Sequence, residues 1–540
     1  MDKFTSKYAD DLHGTLSGFD RLLFAGTLRA LSYPEGMRNY LNSNHIMLVN
    51  FQTFCKNMSN KVRHASEERV SAAGRQVIHL NSSQESKEER ARAIAQEEGI
   101  TEGPICMLSC VEPCKSFSLR GNRSTKMLEL RFEQRKCTHL YLYAIHQVFG
   151  FMYARLQTWF PFGIQIYING HEWLSRQMNA AGIGYTRQGN CFVQIQDLPA
   201  AQALYDAQLK TDWVQTLDEI GRQIHPLQDE LLSHFKTSYY WSTRESEWST
   251  DLLFKEDAVM TRLYPRLVEH AMVTLSSGDV LRFLGKRVAA DGHIPLRFEG
   301  EVTSDIKTRY DKQRHEGVRI KHWLNRNSVK MYDKAHTTEA YSGGVLRIET
   351  TIYNESEFRV FRPKEGAADT DQTSDSDKQW RTMRRGVADL YRRAEVSQQS
   401  NDRYLNTLSA VNDEATLGEC LDPLLRHTEW HGKRVRALRP FDPDDMALLK
   451  AVGRGEFSIN GLRNRDLQDL LYEGQAVDEK EARRRSGSVT RKLRMLRAHG
   501  ILAKVPHTHR YQVTEKGRRI LTALLTARQT PLSQLLKAAA

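Results

Sequence analysis

The chain has 540 residues, which is room for about three to four domains at roughly 100–200 residues each. Hydrophobic residues make up 40% and charged residues 27%, so real apolar cores are expected and a disordered or fibrous chain is excluded. The formal net charge of +12 suits an anionic partner, either nucleic acid or a membrane surface.

The N-terminus, MDKFTSKYADDLHG, carries acids and has no apolar h-region, so no signal peptide is expected. No run of 18 apolar residues occurs anywhere, which speaks against a membrane span and a membrane partner. Seven cysteines, an odd number in a long chain, point to a reducing, cytoplasmic compartment rather than a disulfide framework.

Residues 1–225 read as a mixed α/β region. Ser86-Lys-Glu-Glu89 is a capping-box start to a charged helix ending near Gly99. Residues 105–119 and 127–132 carry strand patterns, and 141–159 is strongly aromatic. Residues 162–167 read as a strand, Asn169-Gly170 as a turn, and 171–180 as a helix. Residues 226–362 read as a β-rich central region holding the candidate catalytic residues. It opens with a helix and the aromatic run Tyr239-Tyr-Trp241, with strands near 318–322, 328–332 and 345–352. Residues 363–379 (PKEGAADTDQTSDSDKQ) are acidic and almost free of large apolar side chains, so they read as a flexible linker. Residues 380–437 form a helical connector, 438–530 a basic C-terminal domain, and 531–540 a tail. The fold class expected is mixed α/β and multidomain, with a winged helix at the C-terminus.

The charge is concentrated at the C-terminal end. Residues 481–530 hold 13 Lys and Arg against 2 acids, a net +11 of the chain's +12. Such a domain-sized basic face is an electrostatic footprint for phosphates. Asp442-Pro-Asp-Asp445 caps a helix, 460–472 is a second, and 481–499 a third, stopped by Gly500. On the third, Val489, Leu493 and Leu496 make an apolar side, while Arg483, Arg484, Arg485, Arg491, Lys492 and Arg494 lie opposite. Residues 501–505 and 511–513 form a hairpin-sized wing. The order helix, helix, basic helix, hairpin resembles the winged helix-turn-helix domains of bacterial DNA-binding proteins over about 90 residues. A helix with a basic edge can enter a major groove, where Ser488, Thr490 and the arginines reach base edges. Lys504, His507, His509 and Arg510 would sit on the backbone. A winged helix used for protein contact is the alternative reading.

The central region carries NSVKMYDK (327–334) and then VLRIE (345–349). Alternation puts Lys330 and Tyr332 on one face of the first strand, and Arg347 and Glu349 on one face of the second. If the two strands pair, Tyr, Asp, Lys, Arg and Glu converge. A tyrosine beside a metal-binding carboxylate and a cation suits phosphodiester cleavage. The segment resembles the replication-initiator relaxases of rolling-circle plasmids and filamentous phages over about 30 residues. That resemblance implies Tyr332 as nucleophile, Lys334 as a phosphate contact, and Asp333 and Glu349 as ligands of Mg²⁺ or Mn²⁺. The His-hydrophobic-His pair of those enzymes is missing; Arg314-His315 and Lys321-His322 are the nearest substitutes. The alternative is a structural hairpin in which Arg347 and Glu349 pair.

Segments such as Phe149-Gly-Phe-Met, Gln157-Thr-Trp-Phe-Pro-Phe162 and Asn169-Gly-His-Glu-Trp-Leu174 resemble a widespread bacterial family along nearly the full length, which implies no activity. Cys106, Cys110, Cys114, Cys137 and His139 do not match tight Cys-x2-Cys zinc spacing, so packing in strands is expected for Cys106 and Cys110. Glu247 and Asp251, four apart, would share a helix face and with Glu301 and Asp305 hold Mg²⁺; a solvated acidic surface is the alternative. Tyr239, Tyr240, Trp241 and Trp248 suit either core packing or stacking on single-stranded bases. Three functions remain from the sequence. They are a mobile-element-type nicking and rejoining enzyme, a nonenzymatic DNA-binding regulator, and a binder of structured RNA. DNA is favoured over RNA, and the oligomeric state is open.

Overall fold

Alternating apolar residues from Leu12 onward form a 16-residue strand, β1 (Leu12–Thr27), which lies inside a mixed sheet. The computed structural model describes residues 2–285, 302–311, 314–335, 343–364, 378–409, 417–454, 457, 461–505 and 508–529, apart from positions 83, 125, 234, 236, 274, 276, 473 and 475. Two compact units result. A sheet unit comprises Leu12–Asp257 and Lys334–Gln398, and a terminal unit comprises Met1–Asp11, Ala258–Asp333 and Gln399–Ala540. This division differs from the expected boundaries at 225 and 362, because strand pairing links segments far apart in the chain.

The other strands of this sheet within the unit are β2 (Gln76–His79), β3 (Gly103–Gly121), β4 (Leu128–His146), β5 (Gly150–Gln157), β6 (Ile164–Asn169), β7 (Tyr240–Phe254) and β8 (Gly344–Ile352). Their order is β8-β7-β1-β6-β5-β4-β3-β2. All neighbours are antiparallel except β2 and β3, whose connection runs through the helix Lys87–Glu97. Ser86 caps that helix, its hydroxyl accepting from the Glu89 amide at 3.3 Å. The strand patterns at 105–119 and 127–132 merge into one long hairpin, β3–β4. Phe19, Leu22, Phe24, Phe160, Phe162 and Trp213 lie in the core of this unit. Tyr239, Trp241 and Trp248 are buried too, which removes them as a base-stacking platform.

The Asn169-Gly170 pair is not a free turn. Asn169 ends β6 and caps the helix Gly170–Ala181, accepting from the Glu172 amide at 2.9 Å. A Cβ at Gly170 would come within 1.5 Å of the Phe19 carbonyl oxygen, so only glycine lets the helix start against β1.

The expected linker lies mostly outside the described residues. Its ends are tied together, because Arg359–Arg362 pairs antiparallel with Gln379–Thr382, and both strands belong to the sheet unit.

In the terminal unit, Val302–Asp311 pairs antiparallel with Arg314–Leu324, and Ile320–Leu324 in turn with Asn327–Met331. Its C-terminal part has its own core of Met446, Leu449, Leu467, Val489, Leu493 and Leu496. That core reaches back to Leu421, Leu424 and Val435, so a boundary at 438 would cut through it.

His225 packs edge-on to Phe162, ring centroids 5.2 Å apart, and burial pulls its imidazole down to about 4. The folded chain therefore holds it neutral, whereas the unfolded chain protonates it below about pH 6.5. The unfolded state binds more protons between those values, so stability falls on acidification through that window, by about 1.4 kcal/mol per pH unit. The urea midpoint is expected to drop accordingly from pH 6.5 to 4.5, and less steeply in His225→Leu. Equal slopes for the two proteins would overturn this.

Candidate active site

Three adjacent strands assemble a buried polar cluster. In β7, Glu247 and Asp251 occur on a strand rather than the expected helix, yet four residues is an even number, so both still share a face. In β8, Arg347 lies opposite Asp251, Glu349 opposite Ser249, and Thr351 opposite Glu247. In β1, Phe19 pairs with Trp248 and Arg21 with Glu247, which leaves Asp20 as an extra residue at a bulge. Bulges re-aim side chains, and this one gives Asp20 to the cluster.

Arg347 is completely buried and makes a two-pronged contact with Asp251, Nε to Oδ1 and Nη2 to Oδ2, each 2.6 Å. Its Nη1 donates to Asp20 Oδ2 at 3.1 Å, and its Nη2 also reaches the Asn190 carbonyl at 3.0 Å. His171, the second residue of the helix capped by Asn169, places Nδ1 2.8 Å from Asp20 Oδ1. Its Nε2 is 3.1 Å from Arg347 Nη2. The same Nε2 lies 3.6 Å from Asp251 Oδ2, so the imidazole bridges the two aspartates beside Arg347. The Asn190 amide also donates to Asp20. Burial raises the Asp20 and Asp251 carboxyls, but Arg347 and His171 outweigh it and hold both below the usual carboxylate range. Burial works against the Arg347 charge as well, and the two aspartates overcome it, so the guanidinium stays charged.

Asp20, Glu247 and Glu349 are all buried, and one oxygen from each lies within 4.8 Å of the others. Arg21 adds its Nε 3.5 Å from Glu247, with its side chain about half exposed at 48%. Lys334 lies in the fields of Asp20 and Glu349; burial, then the nearby Arg347, lower its pKa. The carboxylates of Asp20, Asp251, Glu247 and Glu349 thus lie among Arg347, Arg21, Lys334 and His171. The Ser249 and Thr351 hydroxyls, on the same face beside Glu247 and Glu349, are buried and have no hydrogen-bond partner among the described residues. The hard oxygen donors of three converging carboxylates fit Mg²⁺ or Mn²⁺. Asp20 has only about one lone-pair direction left after His171, Asn190 and Arg347, so it fits as a single-oxygen ligand.

Of the residues singled out in the sequence, Glu247, Asp251, Lys334, Arg347 and Glu349 belong to this cluster. Tyr332 and Asp333 belong to the terminal unit, where the Arg319 guanidinium lies 5.3 Å from the Tyr332 ring centre and 3.5 Å from its hydroxyl. Arg347 does pair with acids, but with Asp251 and Asp20, where the sequence suggested Glu349. His322, offered as a substitute metal ligand, instead sits 3.1 Å from the Tyr404 hydroxyl. Glu301 and the side chains of Asp305, Arg314 and His315 lie outside the described residues. Asp20, His171 and Asn190 were missed. A charged Asp-Arg pair inside the apolar run LSGFDRLLF was the available signal.

The basic C-terminal residues are displayed on a helix, Glu479–Ala498, and on the hairpin Leu502–Lys504 and Tyr511–Val513 after it. Helices Pro443–Val452 and Asn464–Leu471 precede it, and Leu462 and Tyr511 exchange backbone hydrogen bonds of 2.7 and 2.8 Å. Arg483, Arg484, Thr490, Arg491, Arg494, Lys504 and His509 are exposed, while Ser488, Lys492 and Arg510 are half-buried. Arg485 is engaged internally, with Glu481 at 2.9 Å and the Gly474 carbonyl at 2.9 Å. Thr490 accepts from Asn464 at 2.9 Å. His507 lies outside the described residues. No helix among the described residues is long and apolar enough to cross a membrane.

No family model, no curated protein and no solved structure matches the chain.

Proposed function

We propose that this protein binds nucleic acid through a C-terminal winged helix and cuts phosphodiester bonds in a reaction that needs Mg²⁺ or Mn²⁺. DNA is the favoured substrate, in the nicking and rejoining manner of mobile-element enzymes. The observation that carries the reading is the convergence of Asp20, Glu247 and Glu349 within 4.8 Å, buried and flanked by two hydroxyls without a hydrogen-bond partner among the described residues. A divalent cation held there would supply Lewis-acid stabilisation of charge on a phosphoryl oxygen. The chain's own groups do the rest. Arg347 fixes Asp20 and Asp251, His171 orients Asp20, and the half-exposed Arg21 beside Glu247 is placed to bind a phosphate. Tyr332 is retained as the proposed nucleophile of a rejoining reaction. Strand cleavage of single- and double-stranded DNA and RNA with Mg²⁺, Mn²⁺ or EDTA tests the activity.

The second reading, a nonenzymatic DNA-binding regulator, is favoured by the basic helix alone. For either reading, Arg491 and Arg494 are exposed on one side of that helix and are proposed to bind phosphates. The double variant Arg491→Ala/Arg494→Ala is expected to weaken duplex binding roughly tenfold. It should also flatten the log–log salt slope by about 0.9 for each phosphate no longer neutralised. An unchanged slope in fluorescence anisotropy titrations would remove this helix from the interface. Tighter binding to structured RNA than to duplex DNA would favour the RNA-binding reading.

A further inference from the structure

Strands β3 and β4 bring together a second set of donor atoms, remote in chemistry from the carboxylates. Glu112 pairs with Cys137, Cys114 with Arg135 and Cys110 with His139, so Cys114, Cys137 and His139 all lie on one face of the hairpin. Cys114 and Cys137 are diagonal neighbours, with sulfurs 3.1 Å apart. One donor atom from each of Cys114, Cys137 and His139 lies within 4.8 Å of the others. The two remaining cysteines of β3, Cys106 and Cys110, pack in an apolar cluster with Ile105, Leu108 and Tyr143, as the sequence suggested.

His139 is completely buried. Its Nδ1 is 3.2 Å from the Cys137 carbonyl, an acceptor-only group, so the ring proton belongs on Nδ1. Its Nε2 is left as a bare acceptor, buried and without a partner among the described residues. An unmet imidazole nitrogen with its other nitrogen anchored to a carbonyl is how a metal-binding histidine is held. Cys137 also lines a polar cavity of about 220 Å³, with Thr138, Thr158, Ser59 and Ser116. Such a volume admits water to an open coordination position.

We propose that Cys114, Cys137 and His139 bind a thiophilic divalent cation, zinc in particular, with the fourth position open to solvent from the cavity beside Cys137. Two sulfurs and one imidazole are the donors zinc prefers, and three protein ligands leave one site for water. Both thiols lose their protons on binding, so each ion taken up releases two. The site is independent of the carboxylate cluster, whose hard oxygens select a different class of metal.

The test uses the full chain, reduced, stripped of metal and then titrated with zinc or cobalt(II). One zinc per chain is expected by mass spectrometry of the metal content, with a thiolate-to-cobalt charge-transfer band in the near ultraviolet. Cobalt held only by carboxylates gives no such band, so this result stands apart from the cleavage assay. Cys114→Ser and Cys137→Ser should each lose the band or weaken cobalt binding roughly tenfold or more. His139→Gln should keep both sulfurs yet shift the visible cobalt bands. Absence of the charge-transfer band in the parent protein overturns the proposal, and this readout holds even if a variant fails to fold. A Cys114–Cys137 disulfide recovered from protein purified under nonreducing conditions, with no zinc taken up after reduction, also overturns it.

Discussion

Replacing Arg347 with methionine is expected to destabilise the sheet unit by about 3–5 kcal/mol at neutral pH. The size comes from burial. Arg347 is the charge partner of both Asp20 and Asp251, in a place where water does not reach. Methionine fills much of the volume but leaves two carboxylates buried without their cation. The double variant Arg347→Met/Asp251→Asn should be less unstable than Arg347→Met alone, because it removes one of the orphaned charges. The pH dependence has a definite sign. In the parent the two aspartates titrate below their unfolded values, so their stabilisation is present above about pH 4 and is lost as pH falls through the depressed folded values. In Arg347→Met their folded values rise, so acidification relieves the variant first and the gap narrows. Urea midpoints of parent and variants at pH 7 and pH 4.5 measure both effects. A loss below about 1 kcal/mol at pH 7 would show that Arg347 is not holding the cluster together.

Glu349→Gln and Glu247→Gln are each expected to lower strand cleavage roughly 100-fold or more while leaving duplex affinity near the parent value. An amide keeps the shape but is a poor ligand for Mg²⁺ or Mn²⁺, so several kcal/mol of transition-state stabilisation are lost. Neither residue is among the exposed basic side chains proposed to bind DNA, which is why binding should survive. Tyr332→Phe distinguishes the nucleophile. Loss of cleavage in this variant, with a covalent DNA adduct at Tyr332 in the parent, supports a rejoining enzyme. Parental cleavage by Tyr332→Phe makes water the nucleophile and leaves the carboxylates as the reactive centre. A parent protein that cuts no DNA or RNA with either metal removes the enzymatic reading and leaves the nucleic-acid-binding one.

Local patterns were legible wherever a short-range signal decides structure. The Ser86 and Asp442 caps, the glycine after the Glu479–Ala498 helix, and the strand at 345–352 all appear where the residues suggest. The C-terminal order of helices and hairpin was readable for the same reason, since its contacts are local and its charge is a matter of composition. The face shared by Glu247 and Asp251 was right for a different cause, because a spacing of four serves both a helix and a strand. The turn at Asn169-Gly170 was misread because asparagine both ends strands and caps helices, and the helix after it decides which role it takes.

Sequence alone determined which segments are apolar strands, where helices begin, and that the excess positive charge lies in residues 481–530. Those properties depend on side-chain chemistry within a few residues. Tertiary structure alone decided the site. Asp20, His171, Asp251 and Arg347 are separated by up to 327 residues, and only antiparallel pairing of β6, β1, β7 and β8, with a one-residue bulge at Asp20 and the helix that follows β6, brings them together. The same holds for Cys114, Cys137 and His139, whose spacing along the chain matches no short metal motif. Their proximity comes from hairpin register, which one strand's sequence does not encode without its partner.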